Sequence, residues 1–144
     1  MAKITSFSGS FRFLSNFYPC KVVYEGIEYP SSEHAYVAAK TDNQLQKLAI
    51  SEIPSASDVK RFGRQIKLKD NWDNIKISIM KNIVEAKFDQ NPDLMKLLQE
   101  TRNYELIEGN NWSDKFWGQS PIGNGRNELG KILMSVRDDI TKLF

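Results

Sequence analysis

The chain has 144 residues, the size of one ordinary domain, and its 40% hydrophobic and 26% charged content belongs to a folded protein, not a disordered one. The 20 basic and 18 acidic residues leave a net charge of +2, which argues against nucleic-acid binding by bulk phosphate neutralisation; any anion must be held by local basic groups. One cysteine, Cys20, cannot form an internal disulfide, and one cysteine with one histidine cannot build a typical zinc site. No apolar run reaches the length of a membrane helix and the N-terminal stretch lacks a signal-peptide core. A cytoplasmic protein with no membrane partner is therefore expected, folded as a single domain over residues 1–144 without internal repeats or long linkers.

Along the chain, Lys3 to Ser8 and Cys20 to Tyr29 carry β-branched and aromatic residues and read as extended, with Glu25-Gly26 suited to a tight reversal between two short strands. Phe11 to Pro19 is dense in aromatics but irregular and reads as a packed loop. Pro30, Ser31 and Ser32 then start a helix that places Glu33 in its first turn and runs to about Lys40. A second helical stretch around Ser57 to Phe62 is expected to close at Gly63 in a left-handed conformation, releasing Arg64 just beyond. Trp72, Ile75, Ile79, Ile83 and Lys87 recur at helical spacing after Asp70 or Asn71 as cap. Asn91-Pro92 opens another helix with Leu94, Leu97 and Leu98 on one stripe. Tyr104 to Glu108 can return as a strand. The last helix, from Arg126 or Asn127, shows Leu129, Ile132, Leu133, Val136 and Ile140 on one side. The class is α+β, mainly helical, with several helices around a small sheet whose strands cluster near the N-terminus.

Tyr29 to Lys40 is the stretch richest in chemistry. Seven helical steps of about 100° bring Glu33 and Lys40 to nearly one face, roughly 10 Å apart along the axis. A carboxylate can orient water or stabilise an oxocarbenium-like centre, and a lysine of lowered pKa can donate a proton or attack an anomeric carbon. The spacing alone also fits a carboxylate serving the helix dipole and a solvated lysine. His34 reads as a packed, hydrogen-bonded histidine and Cys20 as a small buried hydrophobe. Arg64 can offer a guanidinium to phosphate, and Gly123, Gly125 and Asn127 precede a helix whose free amides could receive another anion; a plain turn or cap fits either stretch as well. Trp112 and Trp117 could stack a flat heterocycle, with Asp114 orienting a ribose hydroxyl, unless both rings simply close the core and Asp114 is a turn former.

Several segments taken in order resemble the YbiA/NADAR family. They are Phe13 to Phe17, Tyr29 to His34 with Ala39-Lys40, Gly63-Arg64, Trp72 with Met80, Ala86 to Asn91, Leu106 to Glu108, Trp112 to Asp114 with Trp117-Gly118, and Gly123 to Asn127 with Leu129-Gly130. The resemblance runs from Phe11 to Val136. It implies an N-glycosidase that cleaves the bond between ribose and a nitrogen base. The substrates implied are phosphoribosylated pyrimidines of riboflavin synthesis or ADP-ribosylated guanine, the latter making a modified nucleic acid one possible partner. On that reading Glu33 and Lys40 act at the anomeric carbon. Arg64 and the Gly123 to Asn127 turn hold phosphate; Phe17, Trp112 and Trp117 hold the heterocycle; Asn16 and Asp114 hold ribose hydroxyls. No metal or organic cofactor is implied. The alternative is a module that binds ADP-ribose or a nucleotide without turnover. Oligomeric state is not legible in the sequence.

Overall fold

The computed structural model describes residues 2–110, 114–120 and 123–143. In chain order these form β1 (Lys3–Ile4), a 3-10 helix (Gly9–Leu14), β2 (Val22–Tyr24), β3 (Ile27–Tyr29), α1 (Ser32–Ala38) and α2 (Gln44–Ser51). There follow α3 (Ala56–Gly63), α4 (Trp72–Gln90), α5 (Pro92–Glu100), β4 (Glu105–Leu106) and α6 (Glu128–Leu143). The protein is α+β and mainly helical. Its strands form two separate pairs, β1 with β4 in parallel and β2 with β3 antiparallel, where the sequence suggests one sheet. The chain packs as two compact units, residues 16–91 and residues 1–15 with 92–144, each containing one strand pair.

In the 16–91 unit the β2–β3 reversal falls at Glu25-Gly26, whose φ angles of 49° and 83° are the two positive values a two-residue hairpin favours. The C-terminal end of α4 docks on this hairpin through side-chain amides. Gln90 accepts from the Val23 amide at 2.7 Å and donates to its carbonyl at 2.9 Å, while Asn91 donates to the carbonyls of Lys21 and Lys87. Asn91 thus closes α4.

Helix α3 is capped by Ser55 and ends at Gly63, as its sequence predicts, but the left-handed stop is absent: Gly63 does not take a positive φ, and the C-cap Arg64 stays right-handed at φ −70°. The glycine is required for closeness. A Cβ at Gly63 would stand 3.0 and 3.2 Å from the methyls of Val37 in α1. Helix α4 begins at Trp72, and Asn71 sits in the left-handed region at φ 65°, with no side-chain bond to the helix amides. Its buried face holds Trp72, Met80, Ile83, Val84, Lys87 and Phe88. Lys87 is 1% exposed, and burial pushes its pKa down to about 8 despite the opposing pull of Cys20.

The other unit is built on α6, whose predicted stripe of Leu129, Ile132, Leu133, Val136 and Ile140 is buried throughout. It packs on α5 and β4. A Cβ at Gly130 would overlap the Leu106 carbonyl oxygen, so α6 lies directly on β4. Buried Arg137 donates to Thr101 Oγ1 at 3.0 Å and to the Tyr104 carbonyl at 2.8 Å, tying α6 to the turn between α5 and β4. Phe13 and Leu14, read from sequence as loop, are buried in the 3-10 helix.

Candidate active site

Helix α1 is buried almost all round. From Ser31 to Lys40 every residue is buried except Glu33 and Lys40, both half-buried. Ala35, Val37, Ala38 and Ala39 are 2% exposed or less, because small side chains let neighbouring elements approach closely. Ser31 caps the helix by accepting from the His34 amide, and the Glu33 amide donates to the Asn16 carbonyl at 3.0 Å. At the other end the chain tightens: the Lys40 amide donates to Val37, three residues back, at 3.1 Å. The Lys40 carbonyl in turn accepts from the Lys69 amide at 3.0 Å, which fixes where the lysine leaves the helix.

The two charges sense each other. Burial lowers the pKa of Lys40, an effect larger than the opposing pull of the Glu33 carboxylate, and the cations of Lys60, Lys76 and Arg64 lower it further. The Lys40 ammonium stands 5.5 Å from the centre of the Tyr36 ring, which leans on Trp72 at a centroid distance of 5.4 Å. A Cβ on Gly63 would lie 3.5 Å from Lys40 Nζ, so α3 closes one side of the lysine. Phe17 is 38% exposed, and Lys60 Nζ lies 5.6 Å from its ring centre. Asn16 is buried, its side-chain amide directed at Met80 Sδ at 3.4 Å. Arg64, the C-cap of α3, is exposed.

Within the 16–91 unit the structure therefore gathers Glu33, Lys40 and Arg64 electrostatically, with Asn16 and Phe17 joined to Glu33 through the backbone. Lys60, Lys76 and Tyr36 were not singled out by the sequence. Lys60 had a signal: it stands four residues before Arg64, one helical turn on the same face. Lys76 lies at the matching interval after Trp72 in α4.

His34 serves the fold, as its sequence reading has it. Its Nε2 faces the Ile53 carbonyl at 2.7 Å and so carries the proton, leaving Nδ1 to accept from the Ser31 hydroxyl at 2.6 Å. Burial lowers its pKa against the raising effect of the Ile53 bond.

The 105–128 stretch is knitted by its own polar groups. Asn127, 4% exposed and at φ 52°, donates from its side chain to the Leu106 carbonyl and accepts from the Glu108 amide at 3.0 Å. Asp114 Oδ1 accepts from the amides of Phe116 and Trp117, making it the turn former. Trp117 is half-buried, its ring edge-on to Phe116 at 4.8 Å. The anion site expected at the start of α6 is corrected by the backbone: the amides of Asn127, Glu128 and Leu129 already donate to the carbonyls of Gly118, Phe116 and Trp117. The Glu128 carboxylate, bonded to Arg126 at 2.8 Å, adds negative charge there. Gly125 is a close-packing residue whose Cβ would stand 3.0 Å from Gln119 Cα, and Gly123, at φ 80°, is exposed. Trp112 lies outside the described residues. Among the described residues no three His, Cys, Asp or Glu side chains gather as a metal site.

The match to known proteins covers nearly the whole chain. Residues 6–141 match the model of the NADAR domain. The chain belongs to the NADAR domain family. It is 32% identical over 128 residues to the N-glycosidase YbiA of Escherichia coli, a match covering 88% of this chain and 79% of that protein. It is 39% identical over 130 residues to a riboflavin biosynthesis protein of Vibrio vulnificus, covering 89% of this chain but 35% of that longer protein. The solution structure of E. coli YbiA superposes with a TM-score of 0.85 at 30% identity, over 96% of this chain and 83% of that one. The NADAR family thus accounts for the fold as well as the sequence order.

Proposed function

We propose that this NADAR protein is an N-glycosidase acting on a small phosphorylated ribosyl compound, with Glu33 and Lys40 at the reacting carbon. The observation that carries the reading is that the buried stretch from Ser31 to Lys40, α1 and the turn after it, leaves only these two charged residues half-exposed. One of them, Lys40, is shifted by burial toward its neutral form. A lysine desolvated beside a carboxylate, with its pKa moved by both, is the setting in which catalytic groups are tuned.

When the carbon–nitrogen bond breaks, its electron pair leaves with the base and positive charge develops on the ribose C1′ and ring oxygen. The Glu33 carboxylate stabilises that charge and can take a proton from the water that bonds to C1′. Lys40 serves in one of two ways. Protonated, it supplies the proton the departing base needs; neutral, it attacks C1′ and forms a Schiff base with the opened ribose, which water then releases. On this reading exposed Phe17 stacks the heterocycle, Arg64 holds phosphate and Asn16 meets a ribose hydroxyl.

Relatives named for N-glycosidase activity and for riboflavin biosynthesis support a phosphoribosylaminopyrimidine as substrate. The family match, running through both compact units, supports residues 1–144 as one functional domain. A cytoplasmic location belongs to the same proposal, since phosphorylated metabolites are retained where they are made.

The test is to offer the protein a phosphoribosylaminopyrimidine and an oligonucleotide carrying ADP-ribosylated guanine, following base release by mass spectrometry with and without borohydride. Release from the first substrate is expected. Binding without release from either would instead identify a non-catalytic reader. Borohydride trapping of ribose on Lys40 would assign the Schiff-base route, and its absence during turnover the direct one.

A further inference from the structure

We propose that Lys60 is a substrate-binding residue that exchanges the Phe17 ring for the substrate's phosphate and, with Arg64, sets the preference for phosphorylated over unphosphorylated ribosyl compounds. The proposal takes its substrate from the N-glycosidase reading above.

Three residues of α3 and its cap share one face: Lys60, Gly63 and Arg64, at intervals of three and four. Gly63 fixes that face against α1, with room for no more than a hydrogen between its Cα and Val37, and with Lys40 Nζ 3.5 Å from where a Cβ would stand. Lys60 therefore lies one turn back along the face that closes on Lys40, and Arg64 lies at its end. The other anchor is Phe17, whose ring lies 5.6 Å from Lys60 Nζ. Phe17 follows Asn16, whose carbonyl holds the Glu33 amide. The Lys60 ammonium thus stands beside the exposed ring and near enough to Lys40 for the two cations to repel.

The neighbouring cation on the same helix behaves differently. Arg61 turns outward to Asp58 at 2.7 Å, with both side chains more than half exposed. Lys60 stands 5.6 Å from the Phe17 ring centre, a contact weaker than a charge-assisted bond to phosphate. Two cations one turn apart suit the several oxygens of a phosphate group. The geometry also couples binding to chemistry, because Lys60 and Arg64 both depress the pKa of Lys40 and a phosphate dianion between them would relieve part of that effect.

The probe is ribose 5-phosphate, the sugar product of a phosphoribosyl substrate, compared with ribose by calorimetry on the wild type, Lys60→Gln, Lys60→Arg and the control Lys96→Gln at an exposed position of α5. Lys60→Gln is expected to weaken ribose 5-phosphate binding about tenfold without a matching change for ribose, and Lys60→Arg to recover most of it. In base release, the ratio of kcat/KM for a phosphorylated substrate to that for its dephosphorylated counterpart should fall by a similar factor. Unchanged ribose 5-phosphate affinity in Lys60→Gln, equal losses for ribose and its phosphate, or no binding by the wild type would overturn the assignment. Lys60-dependent binding in a protein that releases no base from any substrate would remove the glycosidase reading and leave this one standing.

Discussion

Around α1 the Ser31 side chain and the backbone of Asn16 and Lys69 secure the helix, and two charged side chains stand half-buried; in the 105–128 segment polar side chains share with the backbone the work of holding the turn together. Both regions carry the mixture of polar and aromatic residues that suggests a binding site, and both hold residues that resemble the family's motifs. Asn110, Asp114 and Asn127 spend their hydrogen bonds on the amides and carbonyls of their own segment. The side chains of Glu33, in the first turn of α1, and Lys40, two residues past its end, are not what secures that helix at Ser31, Asn16 and Lys69. A polar residue is a candidate for chemistry only after the fold's own demands have been met.

The contrast predicts a stability cost on one side and an activity cost on the other. The largest stability effect should come from Asn127→Ala, which strands the buried Leu106 carbonyl and Glu108 amide and loses a residue tolerant of positive φ. A loss of about 2–4 kcal/mol in denaturant unfolding is expected. Weaker substrate binding at unchanged stability would move Asn127 into the site and break the comparison. Gly63→Ala should follow, at about 1–3 kcal/mol, since its Cβ crowds Val37 in a packed interior. Because the added methyl must displace α1 through Val37, three residues before Lys40, activity per folded molecule should also fall, which separates this residue from Asn127.

The sequence carried much of this but not all. The Glu25-Gly26 reversal, the α6 stripe and the end of α3 were legible because turn chemistry and helical periodicity are local. The start of the helix carrying Glu33 was legible for the same reason, although α1 ends at Ala38, short of the expected Lys40. Helix α2 was missed: Leu45 and Leu48 are 79% and 50% exposed while Lys47 and Ile50 are buried, so its apolar residues do not mark its inner face. Only the Asn43 cap, accepting from the Gln46 amide at 3.0 Å, betrays it. The α6 anion site failed because carbonyls 9 to 12 residues earlier in the chain occupy its amides, a tertiary fact. Lys60 and Lys76 were invisible as a cluster for the same reason, being brought to Lys40 by α3 and α4.

Smaller effects sharpen the comparison. Asp114→Ala removes the acceptor for two turn amides and should cost about 1 kcal/mol, with little change in substrate KM beyond that cost. The smallest should be a pH effect from His34, whose folded pKa burial holds below the ordinary 6.5. As pH falls below that value the unfolded chain takes up the proton first, so stability present above it is lost on acidification. The drop should be reduced in a His34→Gln variant, measured against its own stability at neutral pH.

The most direct test of the central claim is base release by Glu33→Gln and Lys40→Ala, each checked for an unchanged thermal transition. Both variants should remain folded and lose about 100-fold or more in turnover, the scale of a general acid–base group or nucleophile. Either variant turning over at the wild-type rate would contradict that claim.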